Sequence, residues 1–154
     1  MASLRKFLTG FHIVGSRERT AIARAIRELS IKVADPAQEV ASLSGGNQQK
    51  VVIGKALMTA PKVLLMDEPS RGIDVGAKAE VFRTMRRLAA QGLGIIFVTS
   101  DLDEAMALSD RIAVMSNGRV TALVERAEAT EAALVAASAL GHGHQRNQAM
   151  EQRA

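Results

Sequence analysis

The sequence predicts an α/β layer architecture built on a parallel sheet, and three observations predict it. Helix-like and strand-like stretches alternate along the chain, as they do in βα units. Two short apolar runs, "KVLLMDEPS" from Lys62 and "IIFVTS" from Ile95, end in polar residues without the in–out alternation of a half-exposed strand. They read as strands buried on both faces. Around them, apolar residues recur at helical spacing.

Residues 17–29 place Ala21, Ile22, Ala25, Ile26 and Leu29 on one helical stripe, and Asp35-Pro36 breaks the pattern. A second helix, about residues 46–59, carries Val51, Val52, Ala56 and Leu57 in helical spacing before Pro61 stops it. Residues 75–91 form a third, with Ala79, Phe82, Met85 and Ala89 inward and Lys78, Arg83, Arg86 and Arg87 mostly outward. Gly92 and Gly94 punctuate the chain before the second strand. Asp101 and Glu104 have the spacing of a capping box for a short helix through Leu108. "RIAVMSNGRVTALV" reads as two strands around an Asn117-Gly118 turn. Thr130 caps a last helix to residue 139, and residues 141–154 have no periodic pattern and read as a flexible tail. Met58, Met66, Met85, Met106 and Met115 fall at apolar positions and read as core filler.

Composition narrows the function. The 154 residues, 47% hydrophobic and 23% charged, fit one ordinary globular domain. No apolar run approaches the roughly 18 residues of a membrane span. The absence of cysteine excludes disulfides and thiolate metal sites. Two cations precede an apolar patch at the start, but Thr9, Gly10 and His12 interrupt it and no A-x-A site follows, so no signal peptide is expected. The net charge of +4 is uneven: residues 1–32 hold seven Lys/Arg against two Glu. A solvated basic helix face explains this more simply than nucleic acid or lipid headgroups. With no Trp, no Tyr and four Phe, the stacking surface of a nucleic-acid binder is missing, so no nucleic-acid partner is expected. His142 and His144 lack a third ligand for a metal, and His12 has no partner in view.

In sheets of this class ligands sit beyond the C-terminal strand ends. The first strand delivers Asp67 and Glu68 there, and the second delivers Ser100 and Asp101. "SLSGGNQQK" adds a helix that opens with Gly45 and Gly46. Its orphan N–H groups and macrodipole favour an anion, and glycine lets a phosphate come close to the backbone. Alone, the two glycines fit a plain turn before a core helix equally well. The acidic pair about twenty residues downstream favours the phosphate reading.

Ser44-Gly45-Gly46-Asn47-Gln48, Met66-Asp67-Glu68-Pro69, Gly72-Ile73-Asp74 and Val98-Thr99-Ser100-Asp101-Leu102 resemble, in order and spacing, the nucleotide-binding domains of ABC transporters. The resemblance covers residues 16–125. More narrowly, "LSGGNQQK" and "RGIDVGAKAEVF" are similar to the C-terminal ATPase half of the two-domain ATPases that power bacterial monosaccharide (ribose/galactose/xylose-type) importers. The resemblance implies a P-loop NTPase fold of the ABC-ATPase type, N-terminally incomplete. It would hold part of the helical subdomain, the parallel-sheet core and a C-terminal hairpin. Residues 16–140 would be a partial nucleotide-binding domain. Residues 1–15 would precede it, with boundaries the pattern does not fix, and 141–154 would follow as the tail.

The resemblance also implies roles. Ser44, Gly45, Gly46, Asn47 and Gln48 would be the signature motif that grips the γ-phosphate of ATP held by an opposite domain. Asp67 would bind Mg²⁺ through a water. Glu68 would orient and deprotonate the attacking water. Asp74 would belong to the D-loop that couples two ATP sites. Ser100 stands where most members carry histidine, and it brings no positive charge. The C-terminal halves of sugar-importer ATPases often have serine there, and the substitution leaves open the rate of hydrolysis at the domain's own site. ATP and Mg²⁺ are the implied cofactors. The implied partners are a second nucleotide-binding domain, an integral-membrane permease and, indirectly, a solute-binding protein. The implied place is the cytoplasmic face of the plasma membrane, held through the permease.

One element of the family pattern is missing: G-x-x-x-x-G-K-[ST] does not occur. The Gly54-Lys55 pair is followed by Ala56 inside the signature helix. The chain looks truncated, and by itself it is expected to bind ATP weakly or not at all. Three functions stay open on sequence alone: the ATPase component of a carbohydrate importer, a non-catalytic remnant or interaction module, and a soluble ABC ATPase outside transport.

Overall fold

The backbone alternates helix and strand as the spacing predicts. The computed structural model describes residues 8–9, 12–13 and 15–140, which divide between two units, Met1–Val98 and Thr99–Ala154. The tail with His142 and His144 lies outside the described residues.

In the first unit, β1 (Leu8–Thr9) pairs antiparallel with β2 (His12–Ile13). Helix α1 (Gly15–Glu28) follows. It closes at Ser30, which takes a left-handed φ of 51° while the Ile31 N–H donates to the Ile26 carbonyl at 2.9 Å. The break at Asp35-Pro36 is an Asx turn, with Asp35 Oδ1 accepting from the Ala37 N–H at 2.7 Å. Helix α2 (Gly45–Leu57) and helix α3 (Val75–Ala90) flank β3 (Val63–Asp67) in the chain, and β4 (Gly94–Val98) ends the unit. β3 and β4 pair in parallel from Val63↔Gly94 to Asp67↔Val98.

Three expectations need correction. The strands are not covered on both faces: Leu64 is buried, but Leu65, Ile96 and Val98 are 71%, 59% and 58% exposed. A continuous apolar run encodes two covered faces, and the first unit covers only one of them. Along α3 the buried stripe is Val81, Thr84, Met85 and Leu88, while Ala79 and Ala89 are exposed. The alanines misled because they suit either face of a helix, whereas the large Val81 and Leu88 determine which face turns inward. Met115 is exposed, because in β5 it alternates with the buried Ser116.

The buried side of α2 is unusual. It consists of Gly46, Asn47, Lys50, Ile53 and Gly54, while Val52 faces outward. The glycines are there for proximity. A Cβ on Gly45 would meet Ile73 Cγ2 at 2.8 Å, one on Gly46 would meet Ala77 Cβ at 2.6 Å, and one on Gly54 would meet Leu29 Cδ1 at 2.9 Å. So α2 lies directly on the start of α3 and on the end of α1. Lys50, only 2% exposed, reaches across this contact. Its Nζ donates to Glu80 Oε2 at 2.7 Å and to the Ser30 carbonyl at 3.1 Å. Lys32 Nζ donates to the other Glu80 oxygen at 3.0 Å.

The second unit holds α4 (Leu102–Leu108), β5 (Arg111–Ser116), β6 (Arg119–Glu125) and α5, residues 131–140. β5 and β6 form the expected hairpin. Asn117 and Gly118 both take positive φ, 50° and 74°, which matches the strand twist of a two-residue hairpin. A register shift at Val114/Met115 bends it. Asp101 caps α4 by accepting from the Asp103 and Glu104 N–H groups. The buried Glu104 accepts from the Thr99 hydroxyl, which in turn accepts from the Asp101 N–H. Thr130 Oγ1 caps α5 through the Ala133 N–H at 3.2 Å. Among the described residues no helix is long and apolar enough to cross a membrane.

Two outcomes follow from the α2–α3 contact. Gly46→Ala should lower the unfolding free energy by about 1–3 kcal/mol in urea denaturation, because its methyl group lands on Ala77; an unchanged midpoint would contradict the close approach. Lys50 and Lys32 hold the Glu80 carboxyl down at about 2. A folded value below the ordinary 4.5 means that the carboxylate's contribution is complete above that pH and is lost as pH falls towards 2. The stability gap between wild type and Glu80→Gln should therefore close over that acid range, and a gap independent of pH would contradict the pairing.

Candidate phosphate-facing site

The N-terminus of α2 is uncapped in the usual sense. Ser44 is the N-cap residue with extended backbone (φ −60°, ψ 151°), yet its side chain accepts no backbone N–H of the first helical turn. Serine at this position normally takes up one of the orphan N–H groups. Here Ser44 Oγ accepts instead from Asn47 Nδ2 at 2.9 Å. Ser44 is exposed, while Gly46 and Asn47 behind it are buried. The first turn is thus fixed from its buried side, with its open end towards solvent. That arrangement suits an anion, which the uncapped N–H groups and the helix dipole both favour.

Asn47 and Gln48 are engaged within the chain. Asn47 Oδ1 accepts the Lys32 N–H at 2.9 Å. Gln48 Nε2 donates to the Leu43 carbonyl at 2.8 Å and to that of Ala41 at 3.4 Å, which holds the Val40–Ser42 3-10 turn against the helix start. What α2 offers outward is therefore the Ser44 hydroxyl and the half-buried backbone at Gly45, with Gly46 buried behind it.

Asp67 and Glu68 stand at the C-terminal end of β3, where the fold class expects a ligand. Asp67 is exposed and Glu68 half-buried. Glu68 has a left-handed φ of 44°, uncommon for a residue with a side chain, while its N–H continues the ladder to the Val98 carbonyl at 2.9 Å. The chain then turns sharply: the Arg71 N–H donates back to the Glu68 carbonyl at 3.0 Å, with Pro69 and Ser70 buried beneath. Gly72 follows at φ 74°, in the region that favours glycine. Ile73 packs on Gly45, and Asp74 caps α3 by accepting from the Ala77 N–H at 2.9 Å. The structure thus gathers Ser44 to Gln48 with Ile73, Asp74 and Ala77.

Ser100 belongs to the second unit, where it is exposed two residues beyond β4. Among the described residues no group of three or more His, Cys, Asp or Glu side chains is placed to hold a metal. Sequence reading missed Lys50 and Glu80. The signal was available in their positions: Lys50 falls three residues after Asn47 on the face that carries Gly46, Ile53 and Gly54.

Residues 5–71 match the family model described as ABC transporter. The chain is 43% identical over 145 residues to a ribose import ATP-binding protein, RbsA, from Oceanobacillus iheyensis, covering 94% of this chain and 29% of that protein. It is 50% identical over 116 residues to the ribose import ATP-binding protein RbsA of Caldanaerobacter subterraneus, covering 75% and 23%. It is 48% identical over 126 residues to the arabinose import ATP-binding protein AraG of Pseudomonas savastanoi, covering 82% and 25%. The chain thus spans about a quarter of the length of the curated relatives it matches. Among solved structures it resembles MJ1267, an ATP-binding cassette of an ABC transporter, with a TM-score of 0.69 and 27% identity, covering 79% of this chain and 49% of that one. It also resembles cbiO1 from Clostridium perfringens, with a TM-score of 0.69 over 97% of this chain and 59% of that one; at 24% identity this likeness shows the fold alone. Motif order, parallel-sheet fold and sequence likeness agree, and the chain belongs to the ABC transporter ATP-binding family.

Proposed function

We propose that this chain is part of the ATP-binding and ATP-hydrolysing component of a carbohydrate importer, to which it contributes the signature motif, the Walker B strand and the D-loop. The observation that carries the reading is the joint arrangement in the first unit. An uncapped helix N-terminus at Ser44 to Gly46 lies on the Ile73–Ala77 segment, and that segment follows directly from a strand ending in Asp67-Glu68. Relatives matched over three quarters or more of this chain are import ATP-binding proteins for ribose and arabinose, which favours an importer over a remnant and over an ATPase outside transport.

In this reading residues 16–140 are a partial nucleotide-binding domain and 141–154 a tail. Ser44 and the N–H groups of Gly45 and Gly46 take an oxygen of the γ-phosphate presented by a second domain. Asp67 holds Mg²⁺ through a water, and the ion supplies charge neutralisation at the phosphates. Glu68 orients the attacking water and accepts its proton at a carboxylate oxygen. Asp74 keeps the start of α3 in place against Gly46. Ser100 donates a hydrogen bond where a histidine would also carry charge. The loop that cradles the α- and β-phosphates comes from sequence that this chain does not contain. An integral-membrane permease holds the assembly at the cytoplasmic face of the membrane, and a solute-binding protein is an indirect partner.

The test is steady-state MgATP hydrolysis by the assembled ATPase that contains this chain. Glu68→Gln should cut turnover by about 10²–10⁴-fold, the usual contribution of a positioned base, with nucleotide binding retained. Undiminished turnover would remove Glu68 from the role.

A further inference from the structure

Asn47 is 9% exposed and held at both ends of its amide. Oδ1 accepts the backbone N–H of Lys32 at 2.9 Å, and Nδ2 donates to Ser44 Oγ at 2.9 Å. The orientation of this amide is not ambiguous. A peptide N–H can only donate, so the atom facing Lys32 is the oxygen, and the NH₂ group must face Ser44. Lys32 is anchored in turn, since its Nζ donates to Glu80 Oε1 at 3.0 Å, and Lys50 holds the other oxygen of the same carboxylate. A run of fixed donors and acceptors therefore leads from α3 to the hydroxyl at the head of α2.

The consequence falls on Ser44. With one lone pair occupied by the Asn47 NH₂, the hydroxyl proton has to point away from Asn47. The Ser44 oxygen takes up no first-turn N–H group, and the residue is exposed. Its proton is left for an acceptor outside α2. A hydroxyl that rotates freely presents a donor part of the time, whereas one fixed as an acceptor on its inner side presents a donor outward. Donors oriented before the charge arrives cost no reorganisation when it does.

We propose that Asn47 is a positioning residue. It fixes the Ser44 hydroxyl as a hydrogen-bond donor towards a phosphoryl oxygen at the head of α2, and does not itself touch the nucleotide. The proposal rests on the reading of Ser44 to Gly46 as phosphate-facing. It separates Asn47 from the other signature residues: Gly45 and Gly46 act through backbone and closeness, Ser44 through its proton, and Asn47 only through Ser44.

The chain is titrated with inorganic phosphate against chloride at constant ionic strength, with the Gly45 and Gly46 amide resonances as the readout. Ser44→Ala should weaken binding by about ten- to a hundredfold, as the loss of one hydrogen bond to an anion does. Asn47→Ala should weaken it by a similar factor and add nothing in the Ser44→Ala background. Asn47→Asp serves as the isosteric variant, keeping an acceptor for the Lys32 N–H and drawing the Ser44 proton inward. Its negative charge acts with or without the hydroxyl, so any loss greater in wild type than in the Ser44→Ala background reports the hydroxyl alone. Losses that simply add, or binding that depends on Ser44 and ignores Asn47, would overturn the assignment while leaving the phosphate reading intact. No phosphate-dependent shift at Gly45 or Gly46 in wild type would overturn the phosphate reading and the assignment together.

Discussion

The buried ammonium of Lys50 constrains everything around it. Its side chain is 3% exposed and sits in a helix interface, where an unmet charge would be strongly unfavourable. The Glu80 carboxylate and the Ser30 carbonyl meet it. Ser30 can do so only because it ends α1 in a left-handed conformation, and Glu80 only because α3 lies against α2 at glycine distance. Three helices are thereby set in one mutual geometry. Breaking one partner should matter more than the pair's net contribution suggests, since a buried ion pair stabilises little over an apolar replacement but leaves a bare charge when halved.

That geometry explains how the head of α2 is held. Its first turn makes no conventional cap, which alone would leave it prone to fray. Support comes from behind: Gly46 on Ala77, Gly45 on Ile73, Asn47 on Lys32, and Gln48 on the Val40–Ser42 turn. The outward side stays free of side-chain caps and suited to an anion. In the proposed function, a partner that presents ATP from outside would meet such a surface, rigid before contact and unsatisfied until then. Fixing the turn through buried polar groups rather than through a cap leaves its N–H groups for the ligand.

The strands, the hairpin and the chain breaks were readable in the sequence, because each depends on local chemistry. Asn117-Gly118 needs only positive φ at both positions, and Asp35-Pro36 needs only a short acceptor beside a rigid ring. The acidic pair at the end of β3 was readable for the same reason. The buried face of α2 was not. Apolar periodicity pointed to Val51 and Val52, but Asn47 and Lys50 go inside and Val52 goes out, and no hydrophobic pattern announces a polar face whose partners lie 15 to 30 residues away. The alanine-rich α3 was ambiguous in a different way, since a small side chain fits either face. The roles of the two glycines were half legible. Their closeness to an anion follows from local chemistry, whereas their closeness to Ile73 and Ala77 is a tertiary fact.

The central claim is that α2 and α3 form one cooperative body, closed by glycine contacts and the Lys50–Glu80 pair. Native-state amide hydrogen exchange under low denaturant tests it most directly. The account predicts that Ile53 and Gly54 of α2 and Val81 to Leu88 of α3 exchange with one common free energy and one common denaturant dependence. If α2 opened at markedly lower free energy, with α3 still protected, the head of α2 would not be held from behind, and the account would be contradicted.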